Sequence, residues 1–249
     1  MVEVFREVWR VLRDDGTLWL NMGDSYAGSG KGQNGDGSSS DRRGSKQGTN
    51  EGTLSGGLPT GNASLKPKDL MGMPWRVALA LQADGWWLRS EITWCKKAPM
   101  PESVRDRPVT ATEKLFLFTK RPRYYFDMDA VRVTNGDSNH NIWNYWVLGP
   151  ANYPGAHFAT FPPALVEPCI KAGCPKGGTV FDPFGGSGTT ALVARQLGRD
   201  AVMLDLSPEY LELARQRLAL DKVDAWQNGS GIDGGAAVDF GLFAGEIGE

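Results

Sequence analysis

The stretch from Thr179 to Thr190, TVFDPFGGSGTT, places an acid beside glycines and hydroxyls. Its first three residues favour a short buried strand, which Asp182-Pro183-Phe184 ends. The glycines that follow carry no Cβ atom, so a ligand can approach the backbone closely. Hydroxyls at Ser187, Thr189 and Thr190 could cap a helix that is predicted over residues 191–197. The stretch therefore predicts a turn built to hold a ligand.

A second acid follows the glycines at a spacing typical of nucleotide-binding folds. Residues 201–204 form an apolar strand that ends at Asp205. An acid about 20 residues after such a turn can accept hydrogen bonds from a ribose. Strand, turn, helix, strand and acid predict a right-handed unit for an adenosine-like cofactor. A nicotinamide dehydrogenase is the alternative, although it normally carries G-x-G-x-x-G directly after the strand. A tight turn in an α/β core is the alternative without a function.

Apolar periodicity predicts the elements that position this turn, and their alternation indicates an α/β fold. Helices are predicted over residues 2–13, 69–83, 164–172, 191–197 and 208–220. Strands are predicted over 17–22, 86–94, 114–119, 179–181 and 201–204, whereas 134–150 reads as a loop.

Composition narrows the class of protein. The chain has 249 residues, 41% of them hydrophobic, and a net charge of −2, so no overall positive field attracts nucleic acid. A local basic face is still enough for DNA binding. Three cysteines are too few for a disulfide framework, and with two histidines no zinc site is predicted. No signal peptide or long apolar run is present, so a cytoplasmic protein without membrane contact is expected.

Two segments contain little that could form a core. Residues 27–66 are rich in Gly, Ser and Asn, and 226–249 are rich in Gly and end in acids. Such segments bury too little surface to offset their ordering entropy, so we expect a flexible insertion and a mobile tail. A DNA-contacting loop is the alternative for the insertion, with Lys31, Arg42, Arg43 and Lys46 as its cations.

Basic residues alternate with aromatic rings between residues 96 and 126. Two predicted strands flank a loop rich in Pro and Arg, and Tyr124-Tyr125-Phe126 follows the second strand. This pattern suits a phosphate backbone and an unstacked base, although a solvated charged face over core aromatics would look similar. The predicted DNA-binding residues are Lys96, Lys97, Arg105, Arg107, Lys120, Arg121 and Arg123.

The stretch Asp182–Thr190 resembles the S-adenosylmethionine motif of site-specific DNA amino-methyltransferases, in which it reads Asp-Pro-Phe-x-Gly-Ser-Gly-Thr-Thr. Further similar segments are Ile92-Thr93-Trp94, residues 99–104 (PMPESV), Arg107-Pro108, Glu113, residues 124–127 (YYFD), and the His-x-Ala-x-Phe-Pro pattern at 157–162. The resemblance covers most of the chain outside the insertion and the tail.

The resemblance implies a Rossmann-like, S-adenosylmethionine-dependent methyltransferase sheet with helices on both faces and a hairpin facing DNA. The target half precedes the cofactor half. The implied activity is methyl transfer to an exocyclic amine of cytosine or adenine in double-stranded DNA, within phage or bacterial restriction-modification. The implied cofactor-binding residues are Thr160, Phe161, Pro162, Asp182, Pro183, Phe184, Gly185, Gly186, Ser187, Gly188, Thr189, Thr190 and Asp205.

One motif of this family is missing from the sequence. Its catalytic tetrapeptide, (Asp, Asn or Ser)-Pro-Pro-(Tyr, Phe or Trp), would lie upstream of the 2–13 helix, and the nearest sequence, FPPA at 161–164, has the wrong ends. The resemblance thus implies a chain without its N-terminal portion, or a second chain that supplies the missing strand. No catalytic residue is assigned. Asp24, Ser25, Tyr26 and Trp94 are expected to line the target pocket.

The predicted organisation has five parts. Residues 1–26 are a remnant of the catalytic half, 27–66 the insertion, 67–150 the target and DNA-facing region, 151–225 the cofactor region and 226–249 the tail. A non-catalytic module that binds cofactor or DNA is the alternative to an enzyme.

Overall fold

The computed structural model describes residues 1–27, 65–66, 68–99, 101–135, 138–149 and 161–219. Most of the predicted insertion, all of the predicted tail, Thr160 and His157 lie outside these ranges. The residues on either side of the 28–64 interval meet, because Ala27 N donates to Asp69 O over 2.8 Å and Lys68 N donates to Ala27 O over 2.9 Å. The interval therefore leaves and rejoins the fold at one place.

A four-stranded sheet forms the first half of the fold. Its strands are β1 (Thr17–Met22), β2 (Trp87–Lys96), β3 (Thr112–Thr119) and β6 (Tyr145–Leu148), in the order β1-β3-β2-β6. β3 is antiparallel to both β1 and β2, whereas β6 is parallel to β2. β4 (Val133–Asn135) and β5 (Ser138–His140) form a separate small hairpin. β1 and β2 therefore run in the same direction.

The second half contains a parallel pair, β7 (Thr179–Asp182) and β8 (Asp200–Met203). Its register pairs Phe181 with Val202 and Asp182 with Met203. Within the described residues no backbone ladder joins this pair to the four-stranded sheet. The strands around the predicted turn are thus confirmed, while the expected single sheet is divided in two.

Helices cover both faces of the four-stranded sheet, as expected. α1 (Val2–Val11) and α2 (Met73–Ala83) lie on one face, where Phe5 and Leu81 join a core with Phe116 and Phe118 of β3. α3 (Pro163–Gly173) lies on the other face, where Leu165 packs in a core of β-strand residues. Apolar side chains three and four residues apart give each helix the stripe that it buries.

α3 also belongs to a second core, around the β7–β8 pair. Val166 and Ile170 of α3 pack with Ala194 of α4 (Thr189–Gln196) and Ala201 of β8. α5 (Pro208–Arg217) follows β8. α3 therefore packs against both halves of the fold. None of the helices in the described ranges is long and apolar enough to cross a membrane.

The interpretation of residues 134–150 as a loop is wrong, since β6 lies there and extends the sheet. Trp146 of β6 is buried, while Tyr145 and Val147 are each 50% exposed. Four alternating residues at a sheet edge give too short a pattern to stand out from a loop.

Candidate functional site

Asp182 holds the turn after β7 in shape. Its Oδ1 accepts a hydrogen bond from Phe184 N over 3.0 Å, and its Oδ2 accepts one from the Thr190 hydroxyl over 2.6 Å. The carboxylate thus ties the strand end to the first turn of α4. Charge-assisted hydrogen bonds of this kind are stronger than neutral ones.

The three glycines of the turn meet different surroundings. A Cβ on Gly185 would lie 2.5 Å from Met203 Cε and 2.9 Å from Met203 Cβ, so this glycine lets the turn pack on β8. Gly188 has a φ of +78°, and its Cβ would lie 3.0 Å from Ala214 Cβ. Gly186 has a φ of +51°, but its nearest neighbour would be Phe184 O at 3.9 Å. Gly186 therefore faces open space that a ligand can enter.

Asp205 lies beside this open space. Its Oδ2 accepts a hydrogen bond from Gly186 N over 2.8 Å, and its Oδ1 accepts one from Ser207 N over 2.9 Å. A carboxylate has about four acceptor positions, so both oxygens can accept further bonds. The arrangement leaves acceptor positions just past the end of β8, next to the end of β7.

The hydroxyls predicted to cap α4 have another role. The N-cap of α4 is Gly188, and no side chain caps it. Ser187 and Thr189 are buried, and the Arg217 guanidinium donates to the Ser187 hydroxyl over 3.2 Å and to the Thr189 hydroxyl over 2.8 Å. These hydroxyls attach α5 to the turn, which the sequence pattern did not indicate.

Two large apolar side chains near the turn in sequence are exposed: Phe184 precedes the glycines and Leu206 follows Asp205. Phe184 is 54% exposed, and Leu206 is fully exposed. Leu206 was not among the predicted site residues, although it directly follows Asp205, the acid beyond the end of β8.

Phe161 and Pro162 lead into α3. Phe161 is half-buried and packs against both of the cores that α3 joins. Pro162 is buried at the N-cap, and its carbonyl accepts from Leu165 N over 2.9 Å. Phe161 and Pro162 thus connect the predicted cofactor segment to the start of α3. Thr160 lies outside the described residues.

The residues expected to line the target pocket differ in their surroundings. Asp24 Oδ1 accepts from Met73 N over 3.0 Å and from Ser25 N over 2.9 Å, so Asp24 anchors the start of α2. Tyr26 lies under the Arg107 guanidinium, 3.8 Å from its ring centroid. Trp94 is 4% exposed, and its Nε1 donates to Leu148 O, so it is a core residue and does not line an open pocket.

The predicted basic residues form two groups at opposite ends of β3. Lys96, Lys97, Arg105 and Arg107 lie at the β2–β3 connection. Lys120, Arg121 and Arg123 follow the other end of β3. Eight strand residues span about 25 Å, so the seven cations do not share one DNA-facing loop.

The first group is near β1's carboxyl end and the predicted target pocket. Arg107 binds Glu102 over 2.7 Å, and Lys96 binds Glu113 over 2.5 Å. The hydrogen bond from Arg107 lowers the pKa of Glu102, with a smaller contribution from Thr110 N. Lys97 and Arg105 are exposed. These two therefore offer solvent-facing charge on this side.

The second group is tied to the end of α1. Lys120 is 8% exposed, its ammonium donates to Leu12 O, and Asp14 lies 3.7 Å away. Arg121 lies 3.5 Å from the same Asp14 carboxylate. Its burial and these partners make Lys120 a structural cation, which corrects the prediction that it binds DNA. Arg123 is exposed.

Two parallel strands joined by a glycine turn and a helix, with an acid at or just after the end of each strand, are typical of folds that bind a nucleoside cofactor. A model of the N6_N4_Mtase family, DNA methylase, matches residues 1–216, and the chain belongs to this family. This confirms the predicted family and, with it, the predicted class of DNA methyltransferases.

Curated relatives agree. The chain is 43% identical over 221 residues to the type II methyltransferase M.SmaI of Serratia marcescens, covering 88% of this chain and 72% of the relative. It is 46% identical over 219 residues to M.XycI of Xanthomonas campestris pv. cyanopsidis, covering 88% and 70%.

Solved structures show the same fold. The PvuII DNA methyltransferase, described as cytosine-N4-specific, aligns with a TM-score of 0.62 at 20% identity over 92% of this chain and 77% of that chain. The M1.HpyAVI–SAM complex aligns with a TM-score of 0.58 at 17% identity, covering 88% and 82%. The predicted Rossmann-like fold is thereby confirmed.

Proposed function

We propose that this chain binds S-adenosylmethionine at the 182–190 turn and serves methyl transfer to an exocyclic amine of cytosine or adenine in duplex DNA. The catalytic tetrapeptide is supplied by a segment outside these 249 residues. The observation that carries the proposal is the open space at Gly186, whose amide donates to the Asp205 carboxylate.

Groups in and after the turn suit different parts of the cofactor. The Asp205 oxygens can accept from the ribose hydroxyls. Phe184 and Leu206 offer apolar contact to a flat base, and the backbone at Gly186 admits the methionine portion. Among the structural neighbours, M1.HpyAVI was solved as a complex with SAM.

The chemistry explains why the tetrapeptide matters. Bound S-adenosylmethionine supplies a methyl group on a sulfonium sulfur. Transfer of this methyl group to the amine would break the carbon–sulfur bond, leave the sulfur as a neutral thioether and release the amine proton to solvent. Such a displacement needs the base held in line at near-attack distance. Since Asp24 is engaged at the start of α2, it does not replace the missing motif. We therefore expect little or no turnover by this chain alone.

Cofactor binding is tested by titration calorimetry with S-adenosylmethionine and its demethylated product. Asp205→Ala should weaken binding by about 1.5–3 kcal/mol, the usual contribution of hydrogen bonds to a charged group. Asp200→Ala is the matched control, because Asp200 lies at the start of β8, whereas Asp205 follows the end of that strand. Equal affinity for a nicotinamide dinucleotide would favour the dehydrogenase alternative instead.

Methyl transfer is tested with labelled cofactor and mixed-sequence duplex DNA. The 249-residue chain is compared with a version extended upstream in its reading frame. Hydrolysis of the product DNA to nucleosides identifies cytosine or adenine as the target. Activity only in the extended version is expected, and robust turnover by the short chain would contradict the proposal. Salt-dependent DNA binding without transfer by either version would favour the non-catalytic module.

A further inference from the structure

A cavity of about 300 Å³ opens on one face of the four-stranded sheet. Trp19 of β1, Ile92 of β2 and Leu117 of β3 line it. Trp19 and Ile92 also pack in the core that contains Leu165 of α3, so the cavity lies on the α3 face. Protein interiors leave few voids larger than a water molecule, and ligand pockets begin at about this volume. The space is therefore large enough to be a binding site.

Aromatic side chains from two further segments complete the lining. Phe126 follows β3, and its ring centroid lies 6.3 Å from that of Trp19. Trp143 precedes β6 and is 52% exposed, while Trp146 of β6 is buried. The indole N–H of Trp146 already donates to Trp143 O over 2.9 Å, so this side chain adds mainly apolar surface to the cavity. Such a lining suits a flat ring, because aromatic rings pack favourably against one another.

An irregularity in β2 brings an arginine to the same cavity. Leu88 pairs with Phe118 and Ser90 pairs with Leu117, so Arg89 has no partner in the β2–β3 ladder. Successive side chains of a regular strand point to opposite faces of a sheet. Here the bulge lets Arg89 and Ser90 both line the cavity. Bulges often re-aim a side chain beside a functional site.

Arg89 supplies the charge of this cavity. Its side chain is exposed, its Nε donates to the Tyr124 hydroxyl over 3.3 Å, and its guanidinium carbon lies 5.6 Å from the centroid of the Tyr124 ring. No other residue of the described lining is charged. A guanidinium has further N–H donors in a planar fork that matches a carboxylate or a phosphate. An anion at the open side of the cavity therefore has a cation to bind.

The cavity is separate from the cofactor site and from the residues expected at the target pocket. Trp19 lies three residues, or about 10 Å, before Met22 at the end of β1. Asp24 lies beyond that end. Neither Asp24 nor the 182–190 turn lines the cavity. A ligand bound here leaves the Gly186 space open.

We propose that this cavity binds a small, flat aromatic molecule that carries a carboxylate or phosphate group. The ring lies among the aromatic side chains, and the anion pairs with Arg89. An apolar cavity of about 150 Å³ holds one aromatic ring, so this cavity holds two fused rings. The ligand is a free small molecule and not a base of bound DNA, because the exposed cations Lys97 and Arg105 follow the opposite end of β2 from Arg89.

Naphthylacetate is the probe, because it combines two fused rings with a carboxylate. Its binding is followed by saturation-transfer NMR and compared with that of two analogues. Naphthylacetamide lacks the charge, and cyclohexylacetate lacks the aromatic rings. The probe should bind with a Kd of about 1 mM or tighter. Each analogue should bind about tenfold more weakly, because the first loses the ion pair with Arg89 and the second loses the aromatic packing.

Three variants separate the charge from the cavity. Arg89→Gln should bring the affinities for the acid and the amide to within about twofold of each other. Arg105→Gln is the matched control and should keep the difference, because Arg105 is also exposed but lies in the β2–β3 connection. Ser90→Leu fills the cavity and leaves Arg89 in place, so it should weaken both ligands by about tenfold or more. Urea unfolding checks that each variant keeps its fold.

Several results would overturn the proposal. One is the absence of saturation up to about 10 mM naphthylacetate. Others are an unchanged preference for the acid in Arg89→Gln and unchanged binding in Ser90→Leu. Displacement of the probe by S-adenosylmethionine would place it in the cofactor site instead. Displacement by thymidine monophosphate would support a free nucleotide as the ligand, whereas displacement only by a single-stranded oligonucleotide would assign the cavity to DNA and refute the proposal.

Discussion

The glycines of the turn can be separated by single substitutions. Gly185→Ala should cost about 1–3 kcal/mol of unfolding free energy, because the new methyl overlaps Met203. Gly186→Ala should cost about 1–2 kcal/mol through its positive φ, and it should also weaken cofactor binding by intruding on the open space. Urea unfolding and calorimetry on both variants check this. If Gly185→Ala weakened cofactor binding as much as Gly186→Ala, for the same loss of unfolding free energy, the two glycines would not have separate roles.

Leu206 should matter for binding and not for folding. It is fully exposed, so Leu206→Ala should change the unfolding free energy by no more than about 0.5 kcal/mol. Loss of apolar contact with the base should weaken S-adenosylmethionine by about tenfold. Calorimetry measures the affinity, and Leu79→Ala is the control, because Leu79 is an exposed leucine of α2. Unchanged affinity in Leu206→Ala would remove Leu206 from the site.

For single residues, the sequence could predict which side chains lie at the turn, but it could not predict which predicted site residues are buried. Asp182 and Asp205 were recognisable from spacing, and both lie at the turn. Trp94 and Lys120 were misassigned because burial depends on which side of a strand and which helix end each residue meets. Those neighbours lie far away in the chain, so the local sequence pattern could not predict the contacts.

The β2–β3 connection should become less stable at low pH, because Glu102 loses its ion pair with Arg107. Arg107 lowers the pKa of Glu102 below its unfolded value, so the contribution of this ion pair is complete above the unfolded pKa. It is lost as pH falls through the lowered pKa. Hydrogen exchange of residues 102–110 should therefore accelerate in acid, beyond the intrinsic pH effect. Glu102→Gln should abolish that acid-dependent part, and persistence in the variant would assign it elsewhere.

The two basic groups should differ in their effect on DNA binding. Replacing Lys97 and Arg105 with Ala should weaken duplex binding and reduce the slope of log affinity against log salt by about 1 per lost phosphate contact. The control replaces Arg121 and Arg123, at the far end of β3, and should leave both quantities unchanged. A larger effect from the control pair would mean that DNA contacts the opposite end of the sheet.

Long helices and strands were predictable, and short or non-local features were not. β1 was recognised residue for residue, because its apolar run lies between clear stop signals. β6 was missed because its partner β2 lies about fifty residues earlier, and only pairing makes it a strand. The two basic groups lie at opposite ends of β3. Residue spacing alone does not predict how far apart the two ends of a strand place the residues that follow them.

For the whole molecule, the division of the sheet should show in unfolding. No ladder joins β7–β8 to the four-stranded sheet among the described residues, so α4 and β8 should open as one unit at lower free energy than β2 and β3. S-adenosylmethionine at a hundred times its Kd should stabilise that unit by about 2.7 kcal/mol and the four-stranded sheet much less. Native-state hydrogen exchange with and without cofactor measures both, and uniform opening would contradict it.

The pairing of β1 with β3 also has a kinetic consequence. The Asn21 side chain donates to Lys114 O across 93 residues of chain, whereas β2 and β3 meet through a local hairpin. The hairpin can form early, and β1 must then close a long loop to reach it, which slows folding. Loop-closure cost rises only logarithmically, by about 0.6 kcal/mol for each doubling of length. The interval between Ala27 and Lys68 could therefore become much longer or shorter with little change in stability, even though each lengthening delays the pairing of β1.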